Sequence, residues 1–307
     1  MAISRSQLVK ELEPGLNALF GLEYKRYENQ HAEIYTNENS DRAFEEEVML
    51  SGFGNAQVKG EGAGVSFDDA QETYTARYTH ETVALAFAIT EEAIEDNLYD
   101  RLSARYTKAL ARSMSNAKQV KSVEPLINGL PSTATFKSGD GVALFSTSHT
   151  TVSGPNVANT LSTQADLNET SLEQSMIDIA KMTDERGLRI AARGLKMIIP
   201  SELQFTAERL MKSQGRTGTA DNDINAIASM GMVPEGYSVN NFLTDTDSFF
   251  LLTDVPNGLK HFVRSPIKTA IEGDFDTGNV RFKARERYSF GFSDPRCIFG
   301  NGKLPTS

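Results

Sequence analysis

The segment from Glu91 to Glu124 constrains this chain more than any other. Ile94, Leu98, Leu102, Tyr106, Leu110 and Met114 recur at every fourth position, with Ala109, Ala117 and Val120 beside them. That spacing predicts an apolar stripe on one helical face, with Ala111 on the polar side. Thr90 is a suitable N-cap, and Pro125 predicts the end. Charge supports one continuous element. Glu91, Glu92, Glu95, Asp96 and Asp100 come first, then Arg101, Arg105, Lys108, Arg112, Lys118 and Lys121, which complements a helix dipole. At 1.5 Å per residue the helix would span about 50 Å, well beyond the usual three or four turns.

The flanking segments are of a different kind. Residues 1 to about 40 place Leu8, Leu12, Leu16, Leu19 and Phe20 among polar spacers and read as a short helix followed by an extended arm. Glu45, Glu46 and Glu47, then Val48, Met49 and Leu50, lead into Ser51 to Gly64. That stretch contains five glycines, a composition that no helix interior tolerates. From Glu72 to Ala88, Tyr74, Ala76, Tyr78 and His80 alternate with Thr73, Thr75, Arg77 and Thr79, a strand pattern. With Gln57 to Lys59 as the partner strand, residues 52–86 read as a long glycine-tipped hairpin, too polar on both faces to fold back on a core.

Beyond the helix, residues 131–170 are rich in Ser, Thr, Gly and Asn and predict loops, with short strands around Val142 to Phe145. Thr170 and Glu173 suggest a capping box for a second helix running toward Gly187. Leu195 to Ile199 is a buried strand stopped by Pro200. Ser201 and Gln204 open a third helix carrying Leu203, Ala207, Leu210 and Met211. Ser213 to Asn225 reads as a mobile loop. Phe249 to Val255, Gly258 to Val263, Ile267 to Glu272 and Asn279 to Phe290 read as strands, the last exposed on one side. The fold class is α+β, with one α/β layer in its second half.

Composition removes several functions. With 31 basic and 41 acidic residues the net charge is −10, which argues against phosphate-backbone binding as the main task. One cysteine, Cys297, excludes an internal disulfide, and four scattered histidines leave little for a transition-metal site. No apolar run reaches the roughly 18–20 residues of a membrane span. The start lacks the apolar core of a signal peptide, so a cytosolic, soluble chain without cofactors is expected.

Chemical motifs are sparse. Gly60 to Gly64 (GEGAG) is followed by Val65, Ser66 and Phe67, not by the helix a phosphate loop requires, so it reads as a hairpin tip. Asp140, Ser148 and His149 have the residue types of a hydrolytic triad, yet no nucleophile elbow accompanies them and turn roles are expected. Glu272, Asp274 and Asp276 alternate like calcium ligands without the rest of a calcium loop. His31, His80 and His261 read as isolated. Arg281, Lys283, Arg285 and Arg287 form an alternating basic row, either solvated or facing an acidic neighbour such as Glu45 to Glu47.

In order and spacing these parts resemble the HK97-like major capsid proteins of tailed phages. The local phrases resemble the Mu-like major head subunit branch. They are ITEEAIEDNL at Ile89 to Leu98, EPLINGL at Glu124 to Leu130, DGVALFSTSH at Asp140 to His149, and GLKHF, DFDTGNVRFKARERYSFGFS and DPR within the last fifty residues. The resemblance implies an N-terminal arm (1–43) and a first part of a peripheral domain (44–130), with an E-loop at 52–86 and a spine helix at 91–124. It further implies an axial domain (131–257) and returning peripheral strands with a C-terminal segment (258–307). The subunit would assemble with itself into hexamers and pentamers of an icosahedral head in the host bacterial cytoplasm and enclose double-stranded DNA without sequence-specific binding.

A portal and possible scaffolding and decoration proteins would be partners. No charged helical segment precedes the arm, so any scaffold would be a separate protein. By the same resemblance Lys59 invites covalent crosslinking, but no acceptor or carboxylate is readable. Lys59, Glu61, Arg77, Glu45, Glu46, Arg285 and Arg287 are the expected intersubunit contacts. No catalytic, cofactor or metal residue is expected. An encapsulin-like compartment shell is the alternative, and a Ser/His hydrolase a remote one.

Overall fold

The computed structural model describes residues 5–90, 92, 99–130, 136–137, 139–215, 223–274 and 278–302. Residues 5–40 form no free arm. Helix α1 (Arg5–Tyr24) lies along helix α2 (Tyr99–Ile127). Leu16 and Phe20, one turn apart, are buried against Leu110, Ala111 and Met114 of α2. A short 3-10 turn (Gln30–Glu33) and strand β1 (Thr36–Asn39) follow.

Strand β1 opens a four-stranded sheet of order β1-β8-β9-β4, built with β4 (Glu81–Ile89), β8 (Leu259–Gly273) and β9 (Val280–Phe292). β1 runs parallel to β8, and β9 is antiparallel to both its neighbours. Where two separate strands were expected between Gly258 and Glu272, one long strand absorbs Pro266 through irregularities around Ser265. Such irregularities are where a proline is tolerated in a sheet.

The even-numbered side chains of β9 point to the helices. Phe282, Ala284, Glu286 and Tyr288 are buried there, with Val83 and Phe87 of β4 packed alongside. The odd-numbered ones point away, and Arg281, Lys283 and Arg285 are exposed. The sheet is therefore covered by helices on one face only.

Helix α2 differs from its expectation at both ends and around its girth. The Thr90 cap and the first turns with Ile94 and Leu98 lie outside the described residues. Pro125 sits inside the last turn, which continues to Ile127 because Leu126 is fully buried; Asn128 N–H donates to the Glu124 carbonyl. A ladder of i+4 steps advances about 40° per step around a 3.6-residue helix, so it cannot stay on one face. Tyr106 and Val120 are consequently exposed. The buried face carries Thr107, Leu110, Ala111, Met114, Ser122 and Val123.

Ala111, expected on the polar side, is fully buried, whereas Ala109 is exposed. Ala109→Pro should therefore cost about 3 kcal/mol or more through the backbone alone. Ala111→Leu should cost about 1–3 kcal/mol by overpacking against α1, and Ala109→Ser should fall within about 0.5 kcal/mol of the parent. Denaturant melts of the three variants check this ranking.

The second module holds a sheet of order β10-β7-β5-β6: β5 (Gly194–Ile199), β6 (Tyr237–Val239), β7 (Phe249–Thr253) and β10 (Ile298–Asn301). Helix α3 (Glu169–Ala180) starts one residue before the proposed box. Its N-cap is Asn168, which trades bonds with Ser171, because Asn168 is extended and Thr170 already lies in the helix. It also ends well before Gly187. Helix α4 (Gln204–Lys212) is as expected, and the short α5 (Ala226–Met230) was not foreseen. Near Val142 to Phe145 only the bridge between Lys137 and Ala143 forms. The middle of the loop expected at 213–225 lies outside the described residues.

The core of this module, with Leu172, Ile179, Met197, Phe249, Leu251 and Phe299, is separate from a junction core. In the latter Tyr35, Val123, Leu126, Phe145, Phe250, Phe292 and Ile298 join the two halves. The turn Asp294-Pro295-Arg296 carries the chain from the first sheet into the second. Buried Arg296 bonds Asp294 through Nε at 2.9 Å, the Thr183 carbonyl at 3.1 Å and Glu185 at 2.6 Å.

Candidate assembly interface

The hairpin is set differently from its expectation. Its paired strands are β2 (Phe44–Leu50) and β3 (Glu72–Thr79), antiparallel, whereas β4 leaves it to join the first sheet. Gln57 to Lys59 form no strand, since glycines on either side favour irregular chain over pairing. The intervening residues 51–71 form an exposed loop, with the GEGAG tip turning at Gly62, whose φ is +77°. Phe53 is 62% exposed and Phe67 97%, and Val58 and Val65 are also free. Asp68 anchors the loop: its carboxylate accepts from Gly54 N–H at 2.6 Å and from Arg186 at 2.7 Å. These two donors lower its pKa, the backbone donor being the stronger influence.

The base of the hairpin crosses the uncovered face of the first sheet. Tyr78 packs on Phe262, its hydroxyl pairs with Ser293 at 2.6 Å, and a Cβ at Gly291 would come within 2.7 Å of the Tyr78 ring. Only glycine lets β3 lie this close. Lys260 reaches Glu47 and Glu38, and His80 lies between Ser40 and Ser289.

The expected contact residues divide in two. Glu45 accepts from Ser40, Glu46 lies 3.7 Å from Arg77 across the hairpin, and Arg77 sits over the Phe44 ring. Those three are engaged within their own chain. Arg287 is likewise engaged within the chain, donating to the Ala43 carbonyl at 3.5 Å, whereas Lys59 and Glu61 stand on the exposed loop and Arg285 is exposed on the sheet. Of the expected acid-to-base contact between Glu45–Glu47 and the β9 row, the structure makes instead the Glu47–Lys260 pair. Sequence reasoning missed Lys260, Tyr78 and Gly291. The even spacing of Lys260 and Phe262 with the later strand was the available signal, but the irregularities at Ser265 hide the register.

The hydrolase residues are not assembled for catalysis. His149 is buried with Nδ1 2.7 Å from Asp140, and its Nε2 faces the Leu144 carbonyl at 3.1 Å and Asn159 at 3.2 Å. The Ser148 hydroxyl accepts instead from Asn156 at 2.7 Å. A base whose proton-accepting nitrogen is spent on a backbone carbonyl cannot activate a serine.

His31 and His261, read as isolated, meet edge to face at 5.3 Å, and His261 stacks on Phe290 at 4.3 Å. Burial is the main cause that pushes His31 down to about 4 and His261 to about 3, with the nearby Lys118 charge adding to it. Asp274 pairs with Arg281, and Asp276 lies outside the described residues. No cluster able to hold a metal occurs among the described residues, and none of their helices is long and apolar enough to cross a membrane.

A one-sided sheet beside a long helix, an outlying hairpin and a second α/β module make up an HK97-like fold. The capsid of an empty GTA particle is similar over 89% of each chain, at 12% identity and a TM-score of 0.55. The capsid of Myoviridae phage XM1 covers 88% of this chain and 89% of its own, at 10% identity and a TM-score of 0.54. A virus-like particle from Pyrococcus furiosus covers 93% and 97%, at 10% identity and 0.52. No curated protein matches the chain. The family model described as phage capsid protein matches residues 72–301, and the chain belongs to that family. It is a capsid protein of the virion that associates with itself into a phage shell, and the compartment-shell alternative is not favoured.

Proposed function

We propose that the chain is a non-enzymatic major head subunit that closes into hexamers and pentamers around double-stranded DNA. It would assemble in the bacterial cytoplasm, alongside a portal and, where needed, scaffolding and decoration proteins. Residues 1–43 serve as its N-terminal segment, 44–130 and 258–307 as the peripheral domain, and 131–257 as the axial domain. Residues 51–71, with the strands that carry them, take the part of the E-loop.

The observation that carries this reading is the loop itself: Phe53, Val58, Val65 and Phe67 stand in solvent on a glycine-rich segment, which is intelligible only where a neighbour covers them. Lys59 and Glu61 on the loop, Arg77, Glu45 and Glu46 at its base, and Arg285 and Arg287 on the sheet are its intersubunit contact residues. A chain of net charge −10 also suits a container that must let a polyanion slide. Purified protein should form shells, tubes or capsomers by electron microscopy, and Ser148→Ala should leave their yield unchanged. A persistent monomer under all assembly conditions, or a hydrolytic activity lost in Ser148→Ala, would count against the proposal.

A further inference from the structure

We propose that the cleft between strands β3 and β9 is a slot for a single extended segment of a different polypeptide, one that carries an apolar anchor beside an acidic residue. The inference goes beyond the capsid reading above, which gives this cleft no occupant.

The cleft, of about 510 Å³, is lined by five consecutive residues of each strand, Thr75 to Thr79 and Tyr288 to Phe292, and bordered by Lys121, Glu124 and Pro125 of α2. Side chains of a strand alternate between its faces, so an unbroken run of residues lines a cavity with the strand's edge. Neither edge has a strand partner there. β3 pairs with β2 alone, and β4 begins at Glu81, opposite Tyr288, so no strand flanks Ser289 to Phe292 on that side. Ser293 N–H donates to the Gly258 carbonyl on the β8 side. By the two-residue period, the backbone groups of Phe290 and Phe292 turn to the cleft. An edge that stops being paired partway along is where a further strand adds.

The cleft also holds a buried polar group in need of a partner. Tyr288 is 1% exposed, and its hydroxyl makes no hydrogen bond among the described residues. Burial pushes its pKa up, followed by Glu286 and then by Glu81 and Glu124 of the cleft itself, so the hydroxyl lies within reach of the cleft's own charges. A buried hydroxyl left so is destabilising, and a carbonyl of an added strand would satisfy it.

Size and charge select the occupant. Four residues of strand span about 14 Å, and the volume suits one such strand; the paired strands of a hairpin do not enter. Phe136 and Phe292, with ring centroids 6.1 Å apart, wall the cleft and take the anchor. Of the cleft's cations, Arg77 is held by Glu46 and Lys121 by Glu81, whereas the exposed Lys137 beside Phe136 has no ion pair among the described residues. An acidic residue next to the anchor would pair with it. Glu124, also exposed and without an ion pair among the described residues, suits a basic residue further along, and the two charges then fix the direction of the strand.

The test uses the full chain, as unassembled subunits and as shells. Fluorescence anisotropy is read with a labelled eight-residue peptide that alternates Thr and Val around a central Phe-Asp pair and starts with Lys. Subunits and shells should bind it alike, and the same peptide N-methylated at every second residue should bind at least about tenfold more weakly, since it cannot pair with an edge. Tyr288→Phe should weaken binding about fivefold, the loss of one hydrogen bond, while its melting temperature stays at or above the parent's. Lys137→Glu should reverse the preference of the subunit toward a peptide with Lys in place of Asp.

No binding of the peptide to parent subunits, equal binding of the methylated one, or unchanged affinity in Tyr288→Phe would each overturn the inference. Binding to subunits but not to shells would assign the slot to a neighbouring copy and overturn it as well.

Discussion

Replacing residues 53–69 by a short Gly/Ser linker should leave a folded, soluble subunit whose melting temperature matches the parent's, and shell assembly should be lost. The separation follows from what the replaced residues touch. Phe53, Val58, Val65 and Phe67 contribute exposed surface, and the loop's described anchors to the rest of the chain are Asp68 on Arg186 and, at its root, Ser51 with Gln71. An exposed ion pair of that kind contributes at most about 1 kcal/mol. The replacement must stop short of β3, because Ala76 and Tyr78 form a small core with Phe262. Extending the linker through Thr79 should therefore destabilise the subunit by several kcal/mol on the scale of buried aromatic truncations, about 3–5 kcal/mol. Melts and particle counts on the same preparations decide it: an unfolded short replacement would place the loop in the core, and normal shells would deny it any part in assembly.

Acidification from pH 7.5 to 5 should weaken the subunit by up to about 4 kcal/mol through the His31–His261 pair alone. Both histidines are buried, at 5% and 2% exposure, and their folded-state pKa values lie near 4 and 3, below the ordinary 6.5. His31 Nδ1 and His261 Nε2 are buried without a hydrogen-bond partner. A group with a depressed pKa contributes full stability above its unfolded value. As the pH falls below about 6.5 the unfolded chain takes up protons that the folded one refuses, so stability declines until the folded values are reached, at about 1.4 kcal/mol per pH unit and histidine.

Other groups around the pair are Lys118, whose charge lowers both values, and Glu286 on the same side of β9. Burial raises Glu286, so its contribution is lost as pH rises and opposes the histidines. Carboxylates held low, such as Glu33 by Lys196 and Glu208 by Lys212, act below about 4.5, outside the window. Comparing the parent with His31→Gln/His261→Gln isolates the pair. The variant should be flatter between pH 7.5 and 5 by the stated amount, and parallel profiles would sink the assignment.

The long helix, the buried strand at Leu195 to Ile199 and the alternating row on β9 were legible because their periodicities are local and strong. What stayed hidden was set by pairing at a distance. Residues 52–86 read as one hairpin with Gln57 to Lys59 as the partner strand, yet β3 turns to β2 while β4 turns to β9; alternation reports a strand, not its partner. The N-terminal segment read as a short helix followed by an extended arm, yet Leu16 and Phe20 are buried against Leu110, Ala111 and Met114 of α2, and Ile34 and Tyr35 lie in the junction core; periodicity marks an apolar face, not what covers it. The assembly surface was half legible. The basic row on β9 was visible, but of the acids read as its neighbours Glu45 and Glu46 are engaged by Ser40 and Arg77 and Glu47 pairs with Lys260.

The order of the strands in the first sheet bears on when a subunit becomes capable of joining a lattice. Glu81 pairs with Tyr288 and Thr36 with Lys260. At synthesis rates of roughly 5–20 residues per second, the two sides of these ladders emerge on the order of tens of seconds apart. Until β8 and β9 exist, β4 is an edge without a sheet. A nascent or truncated chain thus carries the exposed loop before its first sheet is complete. The first sheet, and with it the scaffold on which the hairpin base rests, is among the last parts of the molecule to be completed.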